Sequence, residues 1–170
     1  LQSGLLENTA IATSLEQANA MWHLREAIPL AQALEGPNVK HDISLPASAV
    51  CDFVAATDAA LERAFPGVRL IDFGHLGDGN LHYNVQCPAG MAGAEFLRRH
   101  EHQVNAIVYD AVSARNGSIS AEHGVGSLKR DELVARKSPV ALALMRSIKG
   151  ALDPSGVLNP GRVLQFDSEV

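Results

Sequence analysis

A chain of 170 residues can bury one substantial core, and 46% apolar with 19% charged residues is the balance of an ordinary water-soluble globular domain. A net charge of −5 argues against nucleic acid or any other polyanionic partner, and no apolar run approaches the length needed to cross a bilayer as a helix. Cys51 and Cys87, the only cysteines, show neither zinc-knuckle nor disulfide-framework spacing, which fits a reducing, cytoplasmic setting, with peripheral attachment to a membrane left open.

Residues 1–12 carry no strong pattern and read as a loop. From Ser14, an N-cap with Gln17 as capping-box partner, the residues Leu15, Ala18, Met21, Trp22, Arg25 and Ile28 follow helical spacing, and Pro29 bends or ends the element before Ala31 and Leu34. Periodicity alone makes Arg25 a snorkelling arginine beside the apolar stripe. After a Gly36-Pro37 turn, the segment 39–45 alternates as a half-buried strand, with Val39, His41, Ile43 and Leu45 on one face and Lys40, Asp42 and Ser44 on the other. A solvated sheet face accounts for the lysine and the aspartate. Pro46 opens a helix whose stripe is Val50, Phe53, Val54, Leu61 and Phe65, and Pro66-Gly67 stops it.

Two short strands, 68–73 and 81–86, flank Gly74-His75-Leu76-Gly77-Asp78-Gly79-Asn80. Asp78-Gly79 suits a two-residue turn, which sets Gly77 against Asn80, Leu76 against Leu81 and His75 against His82. The two imidazoles then converge on one face, and Asn84 shares it by alternation. A long helix from residue 91 or 92 to about 115 ends at Asn116-Gly117, a very short strand covers 118–120, and two glycines permit a sharp turn at Glu122-His123-Gly124-Val125-Gly126. Helices at 129–136 and 139–152 follow, then an ordered turn over 157–162. The expected fold is α+β: a ferredoxin-like antiparallel sheet with helices on one face over about 14–115, and a C-terminal helical tail over 116–170.

His75, His82 and Glu122 are the expected ligand set for a divalent metal, zinc or manganese, with a coordination position left open. His123 is then free to act as a general base or acid. Lys40 and Arg25 suit a carboxylate, if they reach the same cavity. Taken singly, each part has a plainer account as a surface histidine or a simple turn, and too few acids follow for a calcium loop.

Three stretches, Phe73-Gly74-His75-Leu76-Gly77-Asp78-Gly79-Asn80-Leu81-His82, Ser120-Ala121-Glu122-His123-Gly124-Val125-Gly126 and Leu152-Asp153-Pro154-Ser155-Gly156-Val157-Leu158-Asn159-Pro160-Gly161, closely resemble signatures of the C-terminal region of FAD-linked oxidases. These are the D-2-hydroxy-acid dehydrogenases of the vanillyl-alcohol-oxidase fold, among them D-lactate and D-2-hydroxyglutarate dehydrogenases and the glycolate oxidase flavin subunit. Leu24-Arg25-Glu26 and Lys40-His41-Asp42-Ile43-Ser44-Leu45-Pro46 resemble two more, so the likeness runs from about residue 22 to 164.

The resemblance implies that residues 1–170 are the substrate and metal domain of such an enzyme. His75, His82 and Glu122 would hold the metal, His123 would take the hydroxyl proton of a D-2-hydroxy acid, and Arg25, Lys40 and Asn84 would position the substrate. Asn159 would approach the flavin. Pro29 stands where some relatives carry a hydroxyl residue near a second substrate carboxylate, which favours D-lactate, glycolate or another monocarboxylate. Nothing resembles the glycine-rich diphosphate loop of the family's FAD-binding domain. The chain, which opens on Leu1, is therefore expected to be a fragment that binds FAD poorly and does not turn over alone, with the missing N-terminal FAD domain or a second copy as its partner. The alternative is a non-catalytic ferredoxin-like module for interaction or dimerisation. A stand-alone metallohydrolase fits least, for want of a second metal cluster or a leaving-group acid.

Overall fold

The computed structural model of the chain describes residues 8–165, which divide into two compact units between Pro37 and Asn38. The first seven residues of the expected loop, and residues 166–170 of the expected tail, lie outside the described range.

In the first unit Ser14 caps α1 (Leu15–Glu26), its hydroxyl oxygen accepting from the Gln17 amide at 3.2 Å. The capping box is shifted by one residue, because the Gln17 side chain accepts from the Thr13 amide at 2.8 Å and not from Ser14. Ala27 breaks the helix, and Pro29 then sits in the first turn of α2 (Ile28–Leu34), where its missing amide hydrogen is no loss. The apolar stripe of α1 is not buried: Leu15, Met21 and Trp22 are all exposed.

The second unit is an antiparallel sheet of β1 (Asn38–Ser44), β2 (Arg69–His75) and β3 (Asn80–Gln86) in the order β1-β3-β2. A 3-10 turn (Ala47–Ala49) leads into α3 (Val50–Ala64), and α4 (Gly93–Ser113) follows β3. Together with the sheet face of Val39, Ile43, Leu81, Tyr83 and Val85, the stripes Phe53, Leu61 and Phe96, Val104, Val108, Val112 make the core. The Tyr83 hydroxyl survives burial by donating to Asp58 at 2.6 Å. The strand expected at 118–120 is a single bridge, Ser44 to Ser118, on the free edge of β1. Asn116, at φ 56°, takes the left-handed position after α4, while Gly117 lets the chain press on β1, where a Cβ would stand 2.5 Å from the Ser44 carbonyl oxygen.

His41 is a core residue. Its Nδ1 lies 2.8 Å from the Tyr83 carbonyl oxygen and its Nε2 2.9 Å from the Asn105 side chain, with Tyr109 edge-on at 5.3 Å. Burial lowers its pKa from 6.5 to about 4, against the opposing pull of those two hydrogen bonds. The unfolded chain therefore binds this proton first as the pH falls. The stabilisation is complete above about 6.5 and is lost as the pH drops toward about 4, by up to roughly 3 kcal/mol. Urea melts across this window should show that slope, and His41→Gln should flatten it.

Two short helices complete the unit, α5 (Arg130–Arg136) and α6 (Pro139–Leu152). The tail is held by Asp153, whose carboxylate accepts from the amides of Val157 at 3.0 Å and Leu158 at 2.9 Å and pairs with Lys149. It returns to the Glu122-His123 loop region, with the Val163 amide donating to the Gly126 carbonyl at 2.8 Å and Arg130 to that of Gly161 at 3.0 Å. Along α6, Val140, Leu144, Ile148 and Leu152 are exposed on one face.

Candidate metal and substrate site

The sheet face turned away from the core collects the polar residues. The hairpin between β2 and β3 has four turn residues, Leu76, Gly77, Asp78 and Gly79, so His75 pairs with Asn80 and Phe73 with His82. The expected two-residue turn is thus corrected. Asp78 accepts the Asn80 amide in its own side chain at 3.0 Å, and Gly79, at φ 74°, offers its carbonyl to the Leu45 amide at 3.0 Å. These bonds favour the wider turn. The register shift is two residues, and side chains alternate with period two, so His75 stays on the face of His82. β1 adds Lys40 opposite Asn84 and Asp42 opposite His82.

The loop after residue 120 brings Glu122 over this face. One carboxylate oxygen of Glu122 lies 3.7 Å from His75 Nδ1 and the other 3.7 Å from His82 Nε2. Metal bonds to nitrogen and oxygen donors are about 2.0–2.2 Å long, so either pair alone is close enough to share an ion, but the two pairs use different oxygens of Glu122, and among the described residues the group whose ligand atoms all lie within 4.8 Å of one another is Asp42, His82 and Glu122, without His75. The His82 ring lies 5.1 Å from that of Phe73 and 6.1 Å from that of His123. Lys40 is exposed and Asn84 is buried on the same face. Arg25 belongs to the first unit, where its guanidinium lies 4.8 Å over the Trp22 ring. Asn159, at φ 49°, lines an apolar groove of about 620 Å³ with Met145, Ile148, Leu152, Leu158 and Val163.

Sequence reasoning missed Asp42, which it left on a solvated face. The residue is 3% exposed. One carboxylate oxygen accepts from the amides of Glu122 at 2.9 Å and His123 at 2.8 Å, the other from the Asn80 side chain at 3.1 Å, and His123 Nδ1 lies 3.6 Å away. Burial opposes its charge, but the His123 and Glu122 amides, the His123 ring and Asn80 outweigh that and hold the carboxyl below its usual range. Ligand atoms of Asp42, His82 and Glu122 all fall within 4.8 Å of one another. The signal was present in the alternation that puts Asp42 beside Lys40 on the face of His82. Lys129 stands near, donating to the Ile119 carbonyl at 2.9 Å, and burial lowers its pKa against the pull of Asp42.

Imidazole nitrogens with carboxylate oxygens make a donor set suited to zinc or manganese. Among the described residues no helix is long and apolar enough to cross a membrane, and Cys51 and Cys87 are free thiols.

Comparison with known proteins matches residues 1–163 to the family described as FAD linked oxidases, C-terminal domain. A D-2-hydroxyglutarate dehydrogenase of Xanthomonas citri pv. viticola is 41% identical over 165 residues, which cover 97% of this chain and 34% of that protein. The "D-2-hydroxyglutarate dehydrogenase, mitochondrial" of Arabidopsis thaliana is 39% identical over 164 residues, 96% of this chain and 28% of its own length. That of Bos taurus is 38% identical over 167 residues, 96% and 29%. The chain therefore spans about a third of the length of the curated relatives it matches.

Proposed function

Because the chain belongs to the family of FAD-linked oxidases, C-terminal domain, we propose that residues 1–170 act as the substrate and metal domain of an FAD-dependent enzyme that oxidises a D-2-hydroxy acid to the 2-keto acid. The observation that carries this reading is Glu122, whose two oxygens each face a different imidazole at 3.7 Å. His75, His82 and Glu122 would hold a divalent ion, zinc or manganese, which when bound acts as a Lewis acid on the substrate hydroxyl. FAD, held mainly by another part of the protein, supplies the hydride acceptor.

The remaining work falls to side chains of this chain. With Nδ1 of His123 turned to Asp42, Nε2 is the atom that accepts the hydroxyl proton. Lys40 and Asn84, opposite each other on the polar face, bind the substrate carboxylate. Asn159, in its groove of about 620 Å³, is the residue offered to the flavin.

D-2-hydroxyglutarate is the first substrate to test, ahead of the monocarboxylates that Pro29 favours, a choice supported by the names of the relatives. The sheet order β1-β3-β2, with α3 and α4 as its crossovers, supports reading the layer as ferredoxin-like with its last strand reduced to the Ser118 bridge. The free thiols support a reducing, cytoplasmic setting, whereas several relatives are named as mitochondrial. Alone, the chain should not turn over.

Elemental analysis after exposure to zinc or manganese is expected to find one equivalent of ion per chain. Titration with 2-oxoglutarate should then move the amide signals around Lys40 and Asn84 only in the loaded chain. A chain that retains no ion would overturn the proposal and leave the interaction-module reading.

A further inference from the structure

We propose that Asp42 is the positioning residue of the site, a buried clamp that fixes the Glu122-His123 turn and the His123 ring and does not itself bind the ion. This inference rests on the function proposed above.

Asp42 sits in β1 and pairs with His82 on the central strand, so its backbone is as fixed as the sheet. Its carboxylate is 3% exposed and offers about four lone-pair sites. Three are taken. The amides of Glu122 and His123 reach one oxygen at 2.9 and 2.8 Å, and the Asn80 side chain reaches the other at 3.1 Å. Those two amides belong to the residues whose side chains the reaction needs, and they lie 80 and 81 positions along the chain from Asp42.

The main chain repeats the attachment, with the Ala121 amide donating to the Asp42 carbonyl at 3.2 Å. On the near side of the turn, Lys129 holds the Ile119 carbonyl. On the far side, the Ser120 hydroxyl donates to the Gly124 carbonyl at 2.7 Å. A loop with two glycines has many conformations open to it, and this network selects one. The oxygen that takes both amides also stands 3.6 Å from His123 Nδ1. Charge-assisted bonds to backbone amides are among the stronger hydrogen bonds a protein makes. A carboxylate committed to two of them and to the Asn80 side chain is poorly placed to give up a lone pair to a cation, although its oxygens lie near those of Glu122.

The test is Asp42→Asn in the 170-residue chain, loaded with cobalt(II) as a coloured stand-in for zinc. A positioning role predicts that one cobalt per chain is retained with the visible band of the parent, that its affinity falls about 10–100-fold as for other outer partners of metal ligands, and that the Glu122 and His123 amides exchange with deuterium at least about tenfold faster, the factor that loss of about 1.4 kcal/mol of protection gives. Loss of the cobalt or an altered band would make Asp42 a ligand, and unchanged exchange at both amides would remove the clamp.

If the Asn variant does not fold, the unaltered chain still decides. A through-hydrogen-bond coupling from the Glu122 and His123 amide nitrogens to the Asp42 carboxylate carbon is expected, and its absence overturns the proposal. Should the parent bind no ion, the metal reading fails by itself, and exchange and coupling still judge the clamp.

Discussion

His82→Ala is expected to abolish stoichiometric binding of a divalent ion while leaving the fold intact. His82 projects from the central strand, is flanked by Phe73 at 5.1 Å and faces one Glu122 oxygen at 3.7 Å, so of the two imidazoles it is the more firmly held. Its side chain is also the less exposed, at 22% against 48% for His75. Without it the ion keeps one histidine and one carboxylate, a set that exposed surface residues offer by chance in many proteins. Affinity should fall more than the ~10–100-fold typical of losing an outer partner, which equilibrium dialysis with zinc measures directly. The polar face is not part of the core, so the melting temperature without metal should move little. Zinc affinity within about threefold of the parent would show that the imidazole is not a ligand.

The second large effect concerns the turn that delivers the histidines. Gly79→Ala should destabilise the chain by about 3 kcal/mol, combining the cost of a left-handed alanine with a collision in a packed region. Gly79 has φ 74°, and a Cβ there would stand 1.8 Å from the Leu45 carbonyl oxygen. The two segments cannot simply part, because the Leu45 amide donates to the Gly79 carbonyl at 3.0 Å. For a chain of this length the loss corresponds to a drop in melting temperature on the order of 10 °C. Gly77→Ala, where a Cβ meets nothing within 4 Å, is the control and should be nearly silent. Equal effects at the two glycines would remove the Leu45 contact as the cause.

Much of the fold was legible because its signals are local. Alternation in β1, the stripe of α3 and the caps at Ser14 and Asn116 all act within a few residues. The hairpin was legible in position but not in register. Asp78-Gly79 is a strong two-residue signal, yet the Asn80 amide prefers the Asp78 side chain and Gly79 is claimed by Leu45, 34 residues earlier in sequence. The histidines kept a common face only because the error was even. The part of Asp42 was hidden for the same reason on a larger scale: nothing near it in sequence announces that two amides some 80 residues away will end on its oxygen. The exposure of α1 is a third case, since periodicity reveals an apolar stripe and says nothing about what covers it.

The open face of α6 bears on how all of this is measured. Val140, Leu144, Ile148 and Leu152 present a hydrocarbon seam to solvent in the folded state, and fluorescent dyes used in melting assays report contact with hydrocarbon rather than unfolding as such. A dye-based melt of this chain would start bright, with little further rise at the transition. A well-folded variant could then be misjudged as loose, and Gly79→Ala should be followed by circular dichroism instead.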